Sequence, residues 1–290
     1  MATSSVHGAP PAAPASFAQS LERLGIYAAL VIVLFQTLYP LIWVLFGSLK
    51  TKPELINNVW GPPSSLVFEN YVQAWQMADM GNRIFNSVTV TVLSLAILIV
   101  VVTPCAYALA RLRFPGRGVI TGLVVGSMLV PPQVLAIPLF MVARDLGIIN
   151  STVGISFIYA AAIMPLSIFI MRSFFLSLPF DLEDAARVDG AGRVAILVRI
   201  MLPLARPGMA LIIIFGFIEV WNDFFLAFLL LRQPEVQTIP LGLVNFFQQY
   251  DSLWNLYFAA LMITTLPVIA LFVLMQRQFI AGLTAGAVKA

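Results

Sequence analysis

Six apolar runs, each about as long as a helix needs to cross hydrocarbon, constrain what this 290-residue chain can fold into. They lie at about residues 25–47, 86–110, 119–142, 153–171, 209–231 and 257–280. A helix rises about 1.5 Å per residue, so about 20 apolar residues span a bilayer core of about 30 Å. Within that core every backbone N–H and C=O must be bonded inside the protein. The expected fold class is therefore all-α, a polytopic integral membrane protein with six transmembrane helices. Composition agrees, since only 10% of residues are charged, against about a quarter in soluble domains. The sole cysteine, Cys105, and the sole histidine, His7, exclude an internal disulfide and a Cys/His metal site. The net charge of +3 is spread between apolar runs rather than gathered in a patch, so no nucleic-acid partner is expected.

Residues 1–20 are rich in Ala, Pro and Ser and read as a disordered N-terminus, leaving 21–290 as one transmembrane domain. The first run is too long for a signal segment and is expected to be retained, with a kink at Pro40. A mixed polar segment follows from Lys50 to about Arg83, in which Asn70 to Trp75 reads as a short interfacial helix. Pro131-Pro132 is expected to break or kink the third run, and Gly122 and Gly126 form a GxxxG packing pattern. With the N-terminus inside, the inner segments hold Arg23, Arg111, Arg113, Arg117, Arg172, Arg187, Arg193, Arg199, Arg206, Arg277 and Lys289. The outer segments hold only Lys50, Lys52, Arg83, Arg144 and Arg232. The positive-inside rule thus puts both termini in the cytoplasm.

The longest charged passage falls on that inner side, in a connection over about residues 176–206. Asp181 is expected as an N-cap, and Glu183 and Asp184 occupy a first turn where the helix dipole favours negative charge. Ala185 and Ala186 favour helix, Gly190 turns the chain, and a second helix runs to a stop at Pro203. Asp184-Ala185-Ala186, Asp189-Gly190-Ala191, Ile200 and Leu202-Pro203 together resemble the EAA loop of binding-protein-dependent ABC importer permeases. Asp184 replaces the usual Glu and Leu197 the usual Phe. Asn86-Ser87, the passage Ala106 to Arg111 leading to Phe114-Pro115-Gly116, and the Pro131 to Phe140 region are similar to the same family. The resemblance runs from about Lys50 to the C-terminus.

The resemblance implies a type I permease fold, with the loop acting as a coupling helix that docks on a cytoplasmic ATPase. It also implies a second, related permease completing a heterodimer, a homodimeric ATPase and an extracytoplasmic sugar-binding protein, all at a bacterial cytoplasmic membrane. ATP and Mg would sit on the ATPase; the chain has no P-loop, binds no cofactor itself and is not expected to be an enzyme. The ending from Gln276 to Lys289 is similar to the carbohydrate-uptake branch (the smaller permeases of maltose-type transporters). There Gly282, Leu283, Thr284, Ala285 and Gly286, within a tail over 281–290, would enter the ATPase dimer. Maltose-like oligosaccharides, monosaccharides, polyols and glycerol phosphate all fit the pattern.

The fifth run carries Glu219 and Asp223, with Trp221 and Asn222 between them. On a continuous helix Asn222 and Asp223 share the face of Glu219. A carboxylate there costs about 3 kcal/mol to insert, so it faces protein or water. One reading makes this face part of the translocation path; the other makes it an interhelical network. The expected function is a carbohydrate-importing permease working by alternating access. The alternative is an ion-coupled secondary transporter using Glu219 and Asp223.

Overall fold

The computed structural model describes the backbone of residues 17–249 and 253–287, and the side chains of 23–249 and 253–276. Among the described residues every regular element is helical. The first long helix, α1 (Phe17–Ser48), leads through α2 (Lys52–Asn57) and α3 (Glu69–Met77) into α4 (Met80–Arg111). The third run divides into α5 (Arg117–Ser127), a 3₁₀ turn (Pro132–Leu135) and α6 (Ala136–Asp145), followed by α7 (Thr152–Ser177). A connection of short helices comes next: α8 (Asp181–Val188), α9 (Arg193–Ile196), a π-helical turn (Leu197–Met201) and α10 (Leu202–Leu204). The chain closes with α11 (Arg206–Asn222), α12 (Phe225–Leu230), α13 (Ile239–Gln249) and α14 (Trp254–Ala287).

Among the described residues four helices are long and apolar enough to cross a membrane on their own, or up to six if each of two bent pairs is one span. The bent pairs are Arg117–Ser127 with Pro132–Asp145, at 93°, and Arg193–Leu204 with Arg206–Asn222, at 76°. Pro131-Pro132 breaks the third run as expected, because Pro131 is extended and the residue before a proline avoids helical geometry. Pro40, Pro104, Pro165 and Pro267 stay inside continuous helices. The expected stop at Pro203 is displaced, since the helix continues to Leu204. A π-helical turn precedes Pro203, and such a turn tolerates the missing N–H by shifting the hydrogen-bond register. Of the expected disordered stretch 1–20, residues 1–16 lie outside the described residues, and α1 already begins at Phe17.

The most extensive helix pairing is α4 with α7, whose shared face carries small residues. Ser94, Ala106 and Ala110 of α4 and Ser156, Ala160 and Ser167 of α7 are all buried. The Ser156 hydroxyl donates to Val90 O across the pair at 3.3 Å. Close approach of this kind is how helices associate where lipid offers no hydrophobic contrast. α11 enters the same core, with Gly208 so near the Phe174 ring that a Cβ would lie 2.6 Å from it. A Cβ at Gly122 or Gly126 would meet nothing beyond its own helix within 4 Å among the described residues, so the GxxxG face is open here.

At the opposite end of α4 from its Arg111 terminus, the segment between α1 and α3 folds around Lys50, which is fully buried. Its ammonium donates to Asn58 O and to Gly61 O, the latter at 2.7 Å. Asn70 Nδ2 donates to Ser48 O and Lys50 O, both at 2.8 Å, and the expected short helix over Asn70 to Trp75 forms as part of α3. The Ser64 backbone N–H donates to Glu54 Oε1. That bond, with the Ser64 hydroxyl and the Lys50 charge, holds the Glu54 carboxyl below its ordinary value of 4.5. The contribution is present above the ordinary carboxylate range and is lost as pH falls through the lowered value. Trp60, packed 5.9 Å from Trp43, is expected to report a fluorescence step on acidification that Glu54→Gln removes.

Candidate coupling loop and translocation site

The short helix α8 begins with Asp181, Glu183 and Asp184 in its first turn and carries Arg187 in its last, matching both ends of the helix dipole. Asp181 is the first helical residue; the N-cap position belongs to Phe180, which makes no side-chain cap, so the expected capping role fails. The helix ends at Asp189, and Gly190 takes φ +81°, the left-handed geometry that glycine adopts without strain. Two short helices bent at Gly190 are therefore present as expected.

The motif residues divide between two faces. Glu183 and Ala186 are buried, whereas Asp184, Ala185, Asp189 and Gly190 are exposed. Ala191, Ile200, Leu202 and Pro203 are half-buried, and Ile196 and Met201 are fully buried in one cluster with residues of α4 and α7. The exposed face also presents apolar side chains, including Phe180, Leu182, Val194, Val198 and an 88% exposed Val188.

Glu183 is the centre of an ionic junction. Its Oε1 lies 3.1 Å from Arg111 Nε, with side-chain exposures of 1% and 0%. Tyr107 OH donates to Oε2 at 3.0 Å, and Arg187 Nη2 does so at 3.2 Å. Arg111 also donates from Nη2 to Leu178 O at 2.6 Å and stacks its guanidinium 4.1 Å above the Phe180 ring. The last carbonyls of α4 are held by two more arginines. Arg172 Nε donates to Leu109 O at 3.2 Å, and Arg117 donates to Ala110 O and Leu112 O, both at 3.3 Å. Cations at a helix C-terminus satisfy orphan carbonyls and oppose the dipole. The sequence marked these arginines for orientation and Glu183 as a first-turn acid; nothing in their spacing shows that they meet.

The fifth run does not carry Glu219, Asn222 and Asp223 on one helical face. α11 stops at Asn222, and Asp223 turns extended with ψ 121°. Its Oδ1 then accepts from Leu226 N at 2.8 Å and Ala227 N at 3.4 Å, serving the first turn of α12, and from Tyr159 OH at 2.7 Å. Trp221 is buried and stacked on Phe217, while Asn222 Nδ2 donates to Ile218 O in its own helix at 2.9 Å. Glu219 is exposed on the wall of a cavity of about 250 Å³ that also receives Gln133, Tyr159, Asp223 and Phe225. The break in the third run and the break after α11 thus face one space. Gly282, Leu283, Thr284, Ala285 and Gly286 have helical backbone within α14; their side chains, and residues 288–290, lie outside the described residues.

Truncating one partner of a buried ion pair leaves an uncompensated charge, at about 3–5 kcal/mol, whereas replacing both with apolar groups is near neutral. Glu183→Ala is expected to cost that much in thermal unfolding in detergent. The pair Arg111→Met with Glu183→Leu should recover most of it. Equal losses in the single and double variants would contradict the ion-pair account.

Comparison with known proteins places this architecture. A model of the family described as "Binding-protein-dependent transport system inner membrane component" matches residues 102–284. The chain is 34% identical to the diacetylchitobiose uptake system permease protein NgcG of Streptomyces coelicolor, over 90% of this chain and 87% of that one. It is 35% identical to the sulfoquinovosyl glycerol transport system permease protein SmoH of Agrobacterium fabrum, over 91% and 93%. It is also 35% identical to the melibiose/raffinose/stachyose import permease protein MelC of Bacillus subtilis, over 86% and 91%. Among solved structures, a bacterial ABC transporter involved in import of the acidic polysaccharide alginate superposes with a TM-score of 0.79. That match has 26% identity and covers 92% of this chain and 100% of the other. The chain belongs to the binding-protein-dependent transport system inner membrane components and has the type I ABC importer permease fold.

Proposed function

We propose that the chain is the permease subunit of an importer that passes a carbohydrate across the bacterial inner membrane by alternating access, with ATP hydrolysis on a partner ATPase. The carrying observation is α8: a short helix at the end of the bundle whose outer face shows Asp184, Ala185 and Val188 to solvent. An apolar face with a polar rim is what a protein–protein contact requires. In this reading α8 and both termini lie in the cytoplasm, the α8 face docks on a homodimeric ATPase, and residues 282–286 reach the same partner. A second, related permease closes the path, and a binding protein delivers substrate from outside; the family description, which names binding-protein dependence, supports the latter. The relatives' names supply the carbohydrate class: diacetylchitobiose, melibiose and its oligosaccharide kin. Within the path, the cavity bounded by Gln133, Tyr159, Glu219 and Phe225 offers hydroxyl acceptors and an aromatic wall.

The ion-coupled alternative would use Glu219 and Asp223 as a pair. Asp223 already accepts from Tyr159 OH and from two backbone N–H groups, which makes it a structural cap of α12.

Purification of the tagged chain from its own membranes in mild detergent tests the proposal. An ATPase and a second permease are expected to accompany it. Val188→Glu should reduce ATPase recovery by about tenfold or more, equivalent to about 1.4 kcal/mol of docking energy. A chain that comes out alone and transports in vesicles without ATP would overturn the reading.

A further inference from the structure

Two adjacent carboxylates in α8 share the Arg187 guanidinium but differ in burial. Asp184 is 65% exposed and, among the described residues, pairs with Arg187 of its own helix at 2.7 Å. Glu183 is 1% exposed, so no docked protein can touch it. We infer that Glu183 is a positioning residue that fastens α8 to the end of α4, so that displacement of α8 by the ATPase reaches the far end of α4. This rests on the docking reading of α8 given above.

The fastening is asymmetric. On the upstream side, Glu183 grips Arg111 and Tyr107 of α4 directly. Through Arg111 it is joined to Leu178, just beyond α7, and the same turn of α4 is held by Arg172 of α7 and Arg117 of α5. On the downstream side, three articulations separate α8 from α11: Gly190 in left-handed geometry, the π-helical turn Leu197–Met201, and the 76° bend before Arg206. The apolar contacts of Ala186, Ile196 and Met201 adjoin the junction. Such contacts are non-directional and can slide, whereas charged hydrogen bonds hold a fixed geometry. A push on α8 is therefore delivered first to α4 with its packed partner α7, and reaches α11 through its packing on that pair rather than along the connecting chain. α4 has 32 residues without a break, so it carries that movement about 48 Å at 1.5 Å per residue.

The test needs no knowledge of the transported sugar. A reporter cysteine is placed at the far end of α4 as Gly81→Cys, with Cys105→Ser; Gly81 is exposed, and a Cβ there would sit 3.6 Å from Trp75. The complex is purified with its ATPase and returned to lipid vesicles. The rate of labelling by a maleimide is then compared without nucleotide and with ATP plus vanadate. The rate is expected to change severalfold when Glu183 is intact. With Glu183→Gln, or the milder Tyr107→Phe, that change should shrink to less than about a third, with ATPase recovery and turnover held within about twofold; a twofold change is about 0.4 kcal/mol.

A full response in Glu183→Gln would overturn the inference. So would a parallel loss of ATPase recovery and turnover in both variants, which would make Glu183 part of docking or folding. A reporter indifferent to nucleotide in the intact complex would show that α4 does not carry the movement. Failure of the intact chain to bring down any ATPase would instead overturn the docking reading itself.

Discussion

Hydrocarbon will not solvate a free backbone amide, and neither will a packed protein interior, so side chains stand in at several interruptions of this bundle. Where α11 stops, the Asp223 carboxylate takes two N–H groups of the new helix and is itself fixed by Tyr159. Where α4 stops, Arg172 and Arg117 supply donors to its last carbonyls. Lys50 does the same for the loop between α1 and α3, turning a nominally exposed ammonium into a bracket for Asn58 O and Gly61 O. Charged residues are few, and those at the interruptions stand where regular helix cannot satisfy its own ends. A chain with 10% charged residues thus spends several of them on geometry rather than solubility.

The Arg111–Glu183 contact extends the same economy to a tertiary joint. Removing both charges from water is expensive. It is offset by the direct ion pair, by the bonds of Tyr107 and Arg187 to Glu183 Oε2 and by that of Arg111 to Leu178 O, while Arg111 Nη1 keeps no hydrogen-bond partner among the described residues. A guanidinium suits the place for reasons a lysine could not match: its planar fork serves a carboxylate and a carbonyl at once and its face stacks on Phe180. The exposed half of α8 is correspondingly relieved of any duty to hold the helix down. That separation of inner grip from outer contact connects the packing of α4 and α7 to the proposed role of α8.

Much of this was readable from the chain. Span number and approximate limits follow from hydropathy, because α1, α4, α7 and α14 are uninterrupted apolar helices whose length the bilayer dictates. The break at Pro131-Pro132 and the turn at Gly190 were legible because proline and glycine act locally. The break after Asn222 was not. No proline or glycine marks it, and its cause, the capture of Asp223 by Tyr159 sixty-four residues away, is a tertiary event. The burial of Glu183 was hidden for the same reason: a first-turn acid and a helix-terminal arginine look alike whether they face water or each other. Asp181 failed as a cap because Phe180 takes that position and packs under Arg111.

Neighbouring residues on an α-helix are separated by about 100° of rotation. Because Glu183 must point inward and Asp184 outward, the three-residue link between α7 and α8 fixes the rotation of α8 as well as its position. Loss or gain of one residue in that link would present Asp184 or Leu182 to Arg111 and turn the buried acid outward. Substitutions on the outer face can accumulate as a partner surface changes, but the length of the link cannot drift with them. Related chains are therefore expected to vary in α8 side chains while holding the count between the end of α7 and the buried acid constant.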